Sequence, residues 1–581
     1  MSAVPMIRAG DVVSLTVNIE GTQLPTTVPI LALEIVSQAN RVPYARLRIG
    51  DGDSARGDFT RSSGQLFVPG NKIDVLAGYN GSSDPVFSGV VVSQRLVVRR
   101  GTSWLEVDCR DPVFRMTLVR QNRYFENVSD SDVAASLLQE YSDQDVTADI
   151  ATTSAVHPQL LQYQATDWDF LVSRLESAGR ICFVDAGKVR SVAPSLDADP
   201  TADVGFGMTL LELDVELDAR TQTGGVRALA WDPSQQDLVR VDAADPQWSG
   251  AGNLTAAALS SAADRTADVI WHGGALASDA LQSWADGALL RARMAEIVGR
   301  ARFQGIAAVK PGLVLQLSRL SDRFNGKVYV TGVRHEFSGG NWVTDAQFGL
   351  TRQTHAERVP MSHVPAAGIT AAVFGLQVGV VTAIASDPDQ EYRIRVKVPL
   401  AGMDEQGVWA RVATLDAGSQ RGTFFRPEKD DEVVLGYFHG DPSQAVVLGM
   451  VHSSANAPPF DPTDDNDQKG YVSRSGIALT FDDNKKSVVL ATPGGNRLTL
   501  SDNDGGVTLE DQNGNSLKLS SDGITLKSAK ALSLKAQSDL TAEGLNVNIK
   551  ATAGLTAKGT STAEISSSGS LTVKGSVVMI N

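Results

Sequence analysis

Short runs in which apolar and polar residues alternate dominate the first 110 residues, and turns rich in glycine, aspartate and serine separate them. The runs lie at 31–36, 44–49, 72–76, 90–98 and 104–107. Such alternation places every second side chain of a strand on one face, against a core. The pattern therefore predicts a small β-barrel over residues 1–110.

Helical spacing of apolar residues follows this β pattern. Ser129 or Ser131 can cap a first helix, and a second helix is predicted over 166–179, before a strand at 181–184. Together these elements predict an α/β insertion over residues 111–204.

The β pattern returns over residues 205–358, which we predict to form a second barrel with a helix at about 278–303. Three segments of the first barrel have counterparts here: 69–75 matches 311–317, 86–90 matches 329–333, and 101–104 matches 339–342. Unrelated hairpins can resemble each other in this way. However, the shared order of strand, glycine turn, strand, glycine turn and Trp-bearing strand favours two related barrels around the insertion.

The uncharged stretch 359–386 is long enough to cross a membrane. Prolines and glycines interrupt it, and its second half alternates like a strand, so we favour a linker over 359–378 followed by a strand. Five strand patterns within 379–455 are typical of a barrel of the oligonucleotide/oligosaccharide-binding (OB) type. An acidic linker is predicted over 456–470.

The last segment, residues 471–581, differs in composition, because no aromatic residue follows Phe481. Triplets of the form apolar-x-apolar recur through it, at irregular spacings first and near every eight residues from Ile524. So regular a period indicates a solenoid or a fibre. Disorder is disfavoured, because β-branched residues recur with strand alternation. Each strand holds too few aliphatic residues to close a core alone, so we predict a β-prism needle that several chains build together.

The eight-residue repeat predicts which side chains fill the shared core of this needle. They are Ile524, Leu526, Leu532, Leu534, Leu540, Val547, Leu555 and Leu571. A second series keeps the same spacing and consists of Lys527, Lys535, Glu543, Lys550, Lys558, Ser566 and Lys574. Lysine, serine and threonine side chains are expected to face water, and aromatic rings would not fit the narrow core.

Charge and cysteine content exclude several classes of protein. The net charge is −15 and no run rich in lysine or arginine is present, so we expect no nucleic-acid partner. Cys109 and Cys182 lack metal-ligand spacing and are predicted to be small core residues. The first residues contain no apolar segment long enough for a signal peptide.

Candidate catalytic groups are few, and the common motifs for zinc hydrolysis, phosphate binding and serine nucleophiles are missing from the sequence. His439 near Asp441 is better explained as a turn histidine. Asp167, Asp169 and Glu176 are interpreted as helix-capping or solvated residues rather than as paired catalytic carboxylates. We therefore predict no catalytic residue, no cofactor and no metal ligand.

Four aromatic residues of the OB module, Phe424, Phe425, Tyr437 and Phe438, could stack on nucleic-acid bases. Acidic residues accompany them and no basic groove is evident, so we predict that they pack in the core.

The most specific pattern lies in the OB module and consists of Pro427, Glu428, Asp431, Glu432, Val433, Gly440, Asp441 and Pro442. With the closing Val-Leu-Gly at 447–449, it resembles the OB segment of VgrG-type spike proteins of contractile injection systems, a group that includes contractile phage hubs. Residues 162–179 resemble the insertion helix of the same family. The order of the parts extends the resemblance over nearly the whole chain.

The resemblance implies a mainly β, multidomain fold with two hub barrels, an α/β insertion, an OB barrel and an intertwined trimeric β-helix. It implies a homotrimer that contacts a tube or hub protein and baseplate proteins, touches the target membrane transiently and can carry a cargo effector. The apolar C-terminal residues suggest a site for a separate tip protein of the PAAR type. They are Val577, Val578, Met579, Ile580 and Asn581.

The chain departs from some members of this family. It has no room for a lysozyme domain between the OB module and the needle, no effector domain after the needle and no His-x-His pair at the apex. We therefore expect a structural, non-enzymatic spike, made in the cytoplasm without a signal peptide and assembled into a contractile particle. A phage tail, a phage-tail-like particle and a type VI system remain open.

The second hypothesis is a β-helical tailspike that binds or depolymerises polysaccharides. Such a protein needs exposed aromatic residues or paired carboxylates on its prism, and the tail contains no aromatic residue after Phe481.

Overall fold

A computed structural model describes residues 11–361, 363–402 and 407–580. The chain forms two compact units, of which the first ends at Ala372 and the second begins at Val373. Both units are built mainly from β-strands, as the alternating sequence pattern predicts.

The strands of the first unit follow in chain order. They are β1 (Val13–Ile19), β2 (Thr22–Gln23), β3 (Ile30–Gln38), β4 (Tyr44–Gly50), β5 (Lys72–Tyr79), β6 (Asp84–Arg99), β7 (Thr102–Arg110), β8 (Arg120–Ser129), β9 (Thr147–Ile150), β10 (Val156–Thr166), β11 (Ile181–Asp185), β12 (Lys188–Val192), β13 (Ala202–Gly205), β14 (Leu210–Leu217), β15 (Val226–Asp232), β16 (Asp237–Asp242), β17 (Asp268–His272), β18 (Ile297–Gln304), β19 (Val314–Ser318), β20 (Gly326–Ser338) and β21 (Asn341–Phe348). The helices are α1 (Asp130–Gln139), α2 (Asp167–Ser177), α3 (Ala256–Ala262), α4 (Ser278–Met294) and α5 (His355–Arg358).

One sheet of 13 strands contains two halves with the same strand order. The first half runs β3-β4-β7-β6-β5-β1 and the second runs β14-β18-β21-β20-β19-β13. An antiparallel ladder between β3 and β20 joins the halves, from Ala32 opposite Ser338 to Gln38 opposite Gly332. The repeated order supports two related structures. Hydrogen bonding also links the two halves into one sheet.

The tryptophans that the sequence matched between the halves lie on opposite faces of their strands. Trp342 is 1% exposed and stacks between Tyr79 and Phe337, with ring centroids 5.5 and 5.2 Å away. On β7 the buried residue is instead Leu105, so its neighbour Trp104 points away from that core. A shift of one residue reverses the face of a strand, and this part of the predicted match is therefore wrong in register.

Two insertions interrupt the sheet. The first holds α1, α2 and β8 to β12, as the α/β pattern predicts, but its predicted end at residue 204 falls within β13, which already pairs with β19 of the second half. The second insertion is a three-stranded sheet, β16-β15-β17, that packs on α4. The sequence pattern of the second half did not separate these strands from the main sheet.

The predicted helix at about 278–303 is too long, because α4 ends at Met294 and β18 follows. In β18 the side chains of Ala301 and Phe303 are buried, while Arg300 and Arg302 form salt bridges with carboxylates of neighbouring strands. This alternation of period two is what a strand requires. Pairing with β14 and β21 therefore decides the structure of a segment whose alanine spacing favoured a helix.

The described residues of the segment 359–386 include a short 3-10 turn at Pro365–Gly368 and a strand at Gln377–Ala383. No helix among the described residues is long and apolar enough to cross a membrane. The second unit then contains β22 (Gln377–Ala383), β23 (Ile394–Lys397), β24 (Val408–Val412), β25 (Ala417–Gly418), β26 (Arg421–Gly422), β27 (Glu432–Tyr437), β28 (Ala445–Met450), β29 (Gln468–Val472), β30 (Ala478–Asp482), β31 (Ser487–Ala491), β32 (Arg497–Ser501), β33 (Gly506–Glu510), β34 (Ser516–Ser520) and β35 (Gly523–Lys527).

Five of these strands close a barrel in the order β22-β23-β24-β28-β27. Its core is small and aliphatic, with Val381, Val396, Val433, Leu435 and Val447 fully buried. This architecture agrees with the predicted OB module.

The remaining strands, β29 to β35, form an antiparallel meander in which each strand pairs with the next. Strands β30, β32 and β34 begin 19 residues apart, and so do the turn glycines Gly476, Gly495 and Gly514. These glycines have φ between 84° and 99°, a conformation that only glycine adopts without strain. The first part of the needle is thus a repeat of 19-residue hairpins, and no strand is formed within the chain among the described residues after Lys527.

Packing around Trp342 gives a test of the sheet. A Cβ at Gly305 would lie inside the Trp342 indole, so Gly305→Ala should lower the free energy of unfolding of the first unit by about 1–3 kcal/mol. Gly225→Ala is the matched control, because nothing lies within 4 Å of a Cβ there. Thermal unfolding followed by intrinsic tryptophan fluorescence measures both variants. Equal melting temperatures for the two variants would contradict the packing described here.

Candidate functional site

Two of the three carboxylates of α2, Asp167 and Glu176, are buried in ion pairs with arginines. Asp167 is fully buried and accepts hydrogen bonds from Arg123, Gln162 and Tyr141 at 2.7–2.8 Å. Because its oxygens are saturated with donors, it has no geometry for proton transfer to a substrate. The prediction of a solvated helix face is therefore wrong for this residue.

Glu176 is also buried, at the far end of α2, where Arg291 lies 2.7 Å from its carboxylate and Asn40 donates a hydrogen bond to it. Asp169 is the residue for which the capping interpretation is right, because it exchanges hydrogen bonds with the helix cap Thr166. Asp167 therefore stabilises the insertion internally, whereas Glu176 joins it to α4 and to the turn after β3.

Histidines and cysteines provide no candidate metal centre. No group of three His, Cys, Asp or Glu side chains is arranged to hold a metal ion in the part of the chain that the structure describes. Cys109 and Cys182 are fully buried free thiols, as predicted, and burial raises the pKa of each thiol. His335 lies in the core, where burial lowers its pKa to about 4. His439 lies in the turn between β27 and β28, again as predicted.

Three of the four OB aromatics are exposed, so the prediction that they pack in the core is wrong. Phe424, Phe425 and Phe438 are 77%, 55% and 52% exposed, and Tyr437 alone packs against the barrel core. The ring of Phe425 contacts that of Tyr471 with centroids 4.8 Å apart. The core has no room for these rings because small aliphatic side chains already fill it.

The OB residues singled out in the sequence form the two turns that flank β27. The Asp431 carboxylate accepts a hydrogen bond from the backbone N–H of Glu428 at 2.8 Å, and Asp441 accepts one from Ser443 at 2.8 Å. Val433 is fully buried between these turns. The arrangement explains the pattern as a structural requirement of the barrel.

The meander carries an apolar face whose side chains are half-buried or exposed among the described residues of the chain. Residues two apart on a strand share a face, and so do residues directly opposite each other on paired strands. The register therefore aligns two columns on one face: Leu479, Leu490, Leu498, Leu509, Leu517 and Leu526, and beside them Phe481, Val488, Leu500, Val507, Leu519 and Ile524.

These columns are largely open to solvent in the single chain. Leu490, Leu500 and Leu509 are 47%, 45% and 52% exposed, and Ile524 is 74% exposed. A contiguous exposed apolar face of this kind marks an interaction surface. We call it the apolar face of the meander.

The opposite face of the meander is polar. Thr480, Thr499, Thr508, Lys518 and Thr525 follow one another across the strands, with Val489 as the apolar exception. The turns are closed by local hydrogen bonds rather than by packing. At Asp511, for example, the side-chain amide of Asn515 donates to the carboxylate and helps to lower its pKa to about 2.

The predicted core residues of the needle fall in two regions. Ile524 and Leu526 lie on β35, at the end of the apolar face. Leu532, Leu534, Leu540, Val547, Leu555 and Leu571 follow β35, and each is more than half exposed in the single chain. Their role in a shared core stays a prediction.

At the predicted tip, Val577, Val578, Met579 and Ile580 are also exposed. Asn581 lies outside the described residues. The sequence identified the repeat but missed the 19-residue period, which the spacing of Gly476, Gly495 and Gly514 could have revealed.

Three families match successive parts of the chain. Residues 9–339 match the family described as Alg8 N-terminal domain. Residues 377–452, which span the closed barrel, match the type VI secretion system/phage-baseplate injector OB domain. Residues 487–572, which begin in the meander, match the phage baseplate V C-terminal trimerisation domain.

Two curated relatives come from Vibrio cholerae. The actin cross-linking toxin VgrG1 is 30% identical over 76 residues, and the type VI secretion system spike protein VgrG3 is 31% identical over 72 residues. Each match covers 12% of this chain and only 7% of the relative.

Solved structures with low sequence identity are similar as well. The tail protein from Neisseria meningitidis MC58 is 14% identical with a TM-score of 0.42, and the match covers 60% of this chain and 99% of that protein. The E. coli c3393 protein, a component of the type VI secretion system, is 13% identical with a TM-score of 0.36 over 75% of this chain and 99% of its own.

The first family match covers more than half of the 581 residues, and the OB and trimerisation domains follow it in order. The chain therefore belongs to the Alg8 N-terminal domain family and is a VgrG-type spike protein.

Proposed function

We propose that this protein is the homotrimeric spike and tube hub of a contractile injection machine, and that it punctures a target envelope mechanically without enzymatic activity. The observation that carries the proposal is the apolar face of the meander, most of which lies within the segment 487–572 that matches a trimerisation domain. Burying one leucine of this face is worth about 1.5–3 kcal/mol. Twelve such side chains per chain provide a strong drive for three meanders to pack face to face.

The segment after Lys527 supports the same proposal by a different argument. It keeps strand alternation in sequence, but its backbone finds no strand partner within the chain among the described residues. Backbone N–H and C=O groups in a rigid needle must be paired. Pairing between chains satisfies them and also consumes strand edges that would otherwise aggregate.

A needle paired in this way resists bending, because every strand is held by its neighbours on both sides. Contraction of a sheath can then transmit force along it to a membrane. Contacts with a tube protein, with baseplate proteins, with a tip protein at 577–580 and with a cargo effector belong to this proposal. The curated relatives match too little of their length to transfer their own activities.

No catalytic arrangement favours an enzyme among the residues that the structure describes, since Asp167 and Glu176 are buried in ion pairs and Asp169 caps α2. The alternative of a polysaccharide-depolymerising tailspike finds little support in the meander. Two aromatic residues, Tyr471 and Phe481, lie on the apolar face of its first two strands, and β31 to β35 carry none. Its polar face is mostly threonine.

The oligomeric state tests the proposal directly. We expect the full chain to have a native mass near three times 61.6 kDa, and a chain ending at Asp467 to lose or weaken the trimer, because both needle regions are then removed. Native mass spectrometry measures both. A full-length monomer would rule out the proposed function.

The apolar face is tested by a pair of substitutions on one strand. Leu500→Asp places a charge within the proposed interface and should abolish the trimer at micromolar concentration, because burying an unpaired carboxylate costs several kcal/mol. Thr499→Asp is the matched control on the opposite face of β32 and should leave the trimer intact. If both variants remain trimeric, the apolar face is not the interface.

The distal repeat is tested in the same way. Leu532→Asp should lower the melting temperature of the trimer, whereas Ser533→Asp, one residue further on and predicted to face water, should not. Thermal unfolding in the presence of detergent, followed by gel mobility, compares the two variants. If Ser533→Asp lowered the melting temperature and Leu532→Asp did not, the predicted register would be wrong by one residue.

A further inference from the structure

The distal needle, residues 523–580, has the opposite charge from the rest of the chain. It contains six lysines against three acidic residues and no arginine, whereas the net charge of the whole chain is −15. The lysines are exposed, and among the described residues of this segment none forms a salt bridge. The excess positive charge is therefore available to a partner.

Five of the lysines occupy one position of the eight-residue repeat. Lys527, Lys535, Lys550, Lys558 and Lys574 each directly follow an apolar-x-apolar triplet. Side chains of adjacent residues on a strand point to opposite faces. When the triplets face the core of the proposed trimer, these lysines face outwards and form rows along the shaft. Glu543 and Ser566 occupy the same position in the other two repeats.

We propose that these rows of lysines bind the anionic phosphate headgroups of a lipid bilayer and so guide the needle onto the target envelope. The inference rests on the proposed trimeric spike, because trimer formation turns five lysines per chain into three parallel rows. Each lysine near an anionic membrane surface is worth about 1 kcal/mol, or about a fivefold gain in binding.

The composition of the segment distinguishes a membrane from other anionic partners. Binding of single-stranded nucleic acid uses aromatic platforms, and this segment has none. Specific recognition of carboxylate or phosphate on a protein uses the planar fork of arginine, which is also missing from these residues. Lysines on long flexible stems act as point charges and suit a diffuse anionic surface.

Vesicle flotation with the full chain tests the inference. The wild type should bind vesicles of phosphatidylglycerol and phosphatidylcholine, and it should bind pure phosphatidylcholine vesicles at least tenfold more weakly. Binding should be lost in about 0.5 M NaCl, because salt screens the interaction between exposed charges. The triple variant Lys535→Gln, Lys550→Gln, Lys558→Gln should lower the partition coefficient for anionic vesicles at least tenfold. The matched control changes three meander lysines, Lys485→Gln, Lys486→Gln and Lys518→Gln, and should bind like the wild type.

Native mass spectrometry of the same samples distinguishes a failure of the membrane-binding inference from a failure of the proposed function. A trimeric wild type that ignores anionic vesicles, or a triple variant that binds as well as the wild type, would overturn the inference and leave the spike intact. A monomeric wild type would instead reject the proposed function. Tighter binding to a short DNA duplex than to anionic vesicles would also overturn the assignment to a membrane.

Discussion

The apolar face of the meander sets the main constraint on this protein. A hairpin repeat of 19 residues aligns leucine, isoleucine and valine in two columns. Residues 468–527 form strands of a single sheet and contain no helix that could pack on these columns. An exposed face of this composition is a liability in a monomer. It becomes a core when identical faces meet, and the match of residues 487–572 to a trimerisation domain favours three of them.

A change in strand pairing divides the needle near Lys527. Before this residue, hairpin turns with glycine at positive φ let each strand pair with its own neighbour. After it, the repeat shortens to about eight residues, which leaves room for a strand and a corner but not for a hairpin. The first region can therefore hold its backbone hydrogen bonds before assembly, whereas in the proposed trimer the second region pairs with partner chains. If the meanders of three chains associate first, they align the chains in register before the distal repeat intertwines. Each later pairing then closes a shorter loop of chain and costs less conformational entropy.

Much of this architecture could be predicted from the sequence, because alternation and aromatic content are local signals. The absence of aromatic residues after Phe481 identified the needle, and the strand pattern at 379–455 identified the closed barrel. Errors arose where tertiary contacts decide the outcome. The alanine spacing before Met294 continued into a segment that becomes β18, because neighbouring strands on both sides offer pairing.

The other errors have the same origin. Nothing in the local sequence distinguishes the outward Trp104 from the buried Trp342, since a one-residue change in register decides the face. Core packing was predicted for Phe424 and Phe425 because acidic neighbours and the lack of a basic groove argue against base stacking, but valine and leucine already fill the small barrel. The burial of Asp167 depends on Arg123 and Tyr141, which are distant in sequence. Side-chain partners of this kind become visible only once the strands are placed.

The two halves of the hub sheet bear on how a trimer can meet a tube. Each half has the same strand order, so three chains contain six copies of one topology. The copies are not identical, because β1 pairs antiparallel with β5 while β13 pairs parallel with β19. The short β2 also extends the first half beyond β1. In the proposed trimer, a six-fold partner would therefore meet two alternating kinds of contact.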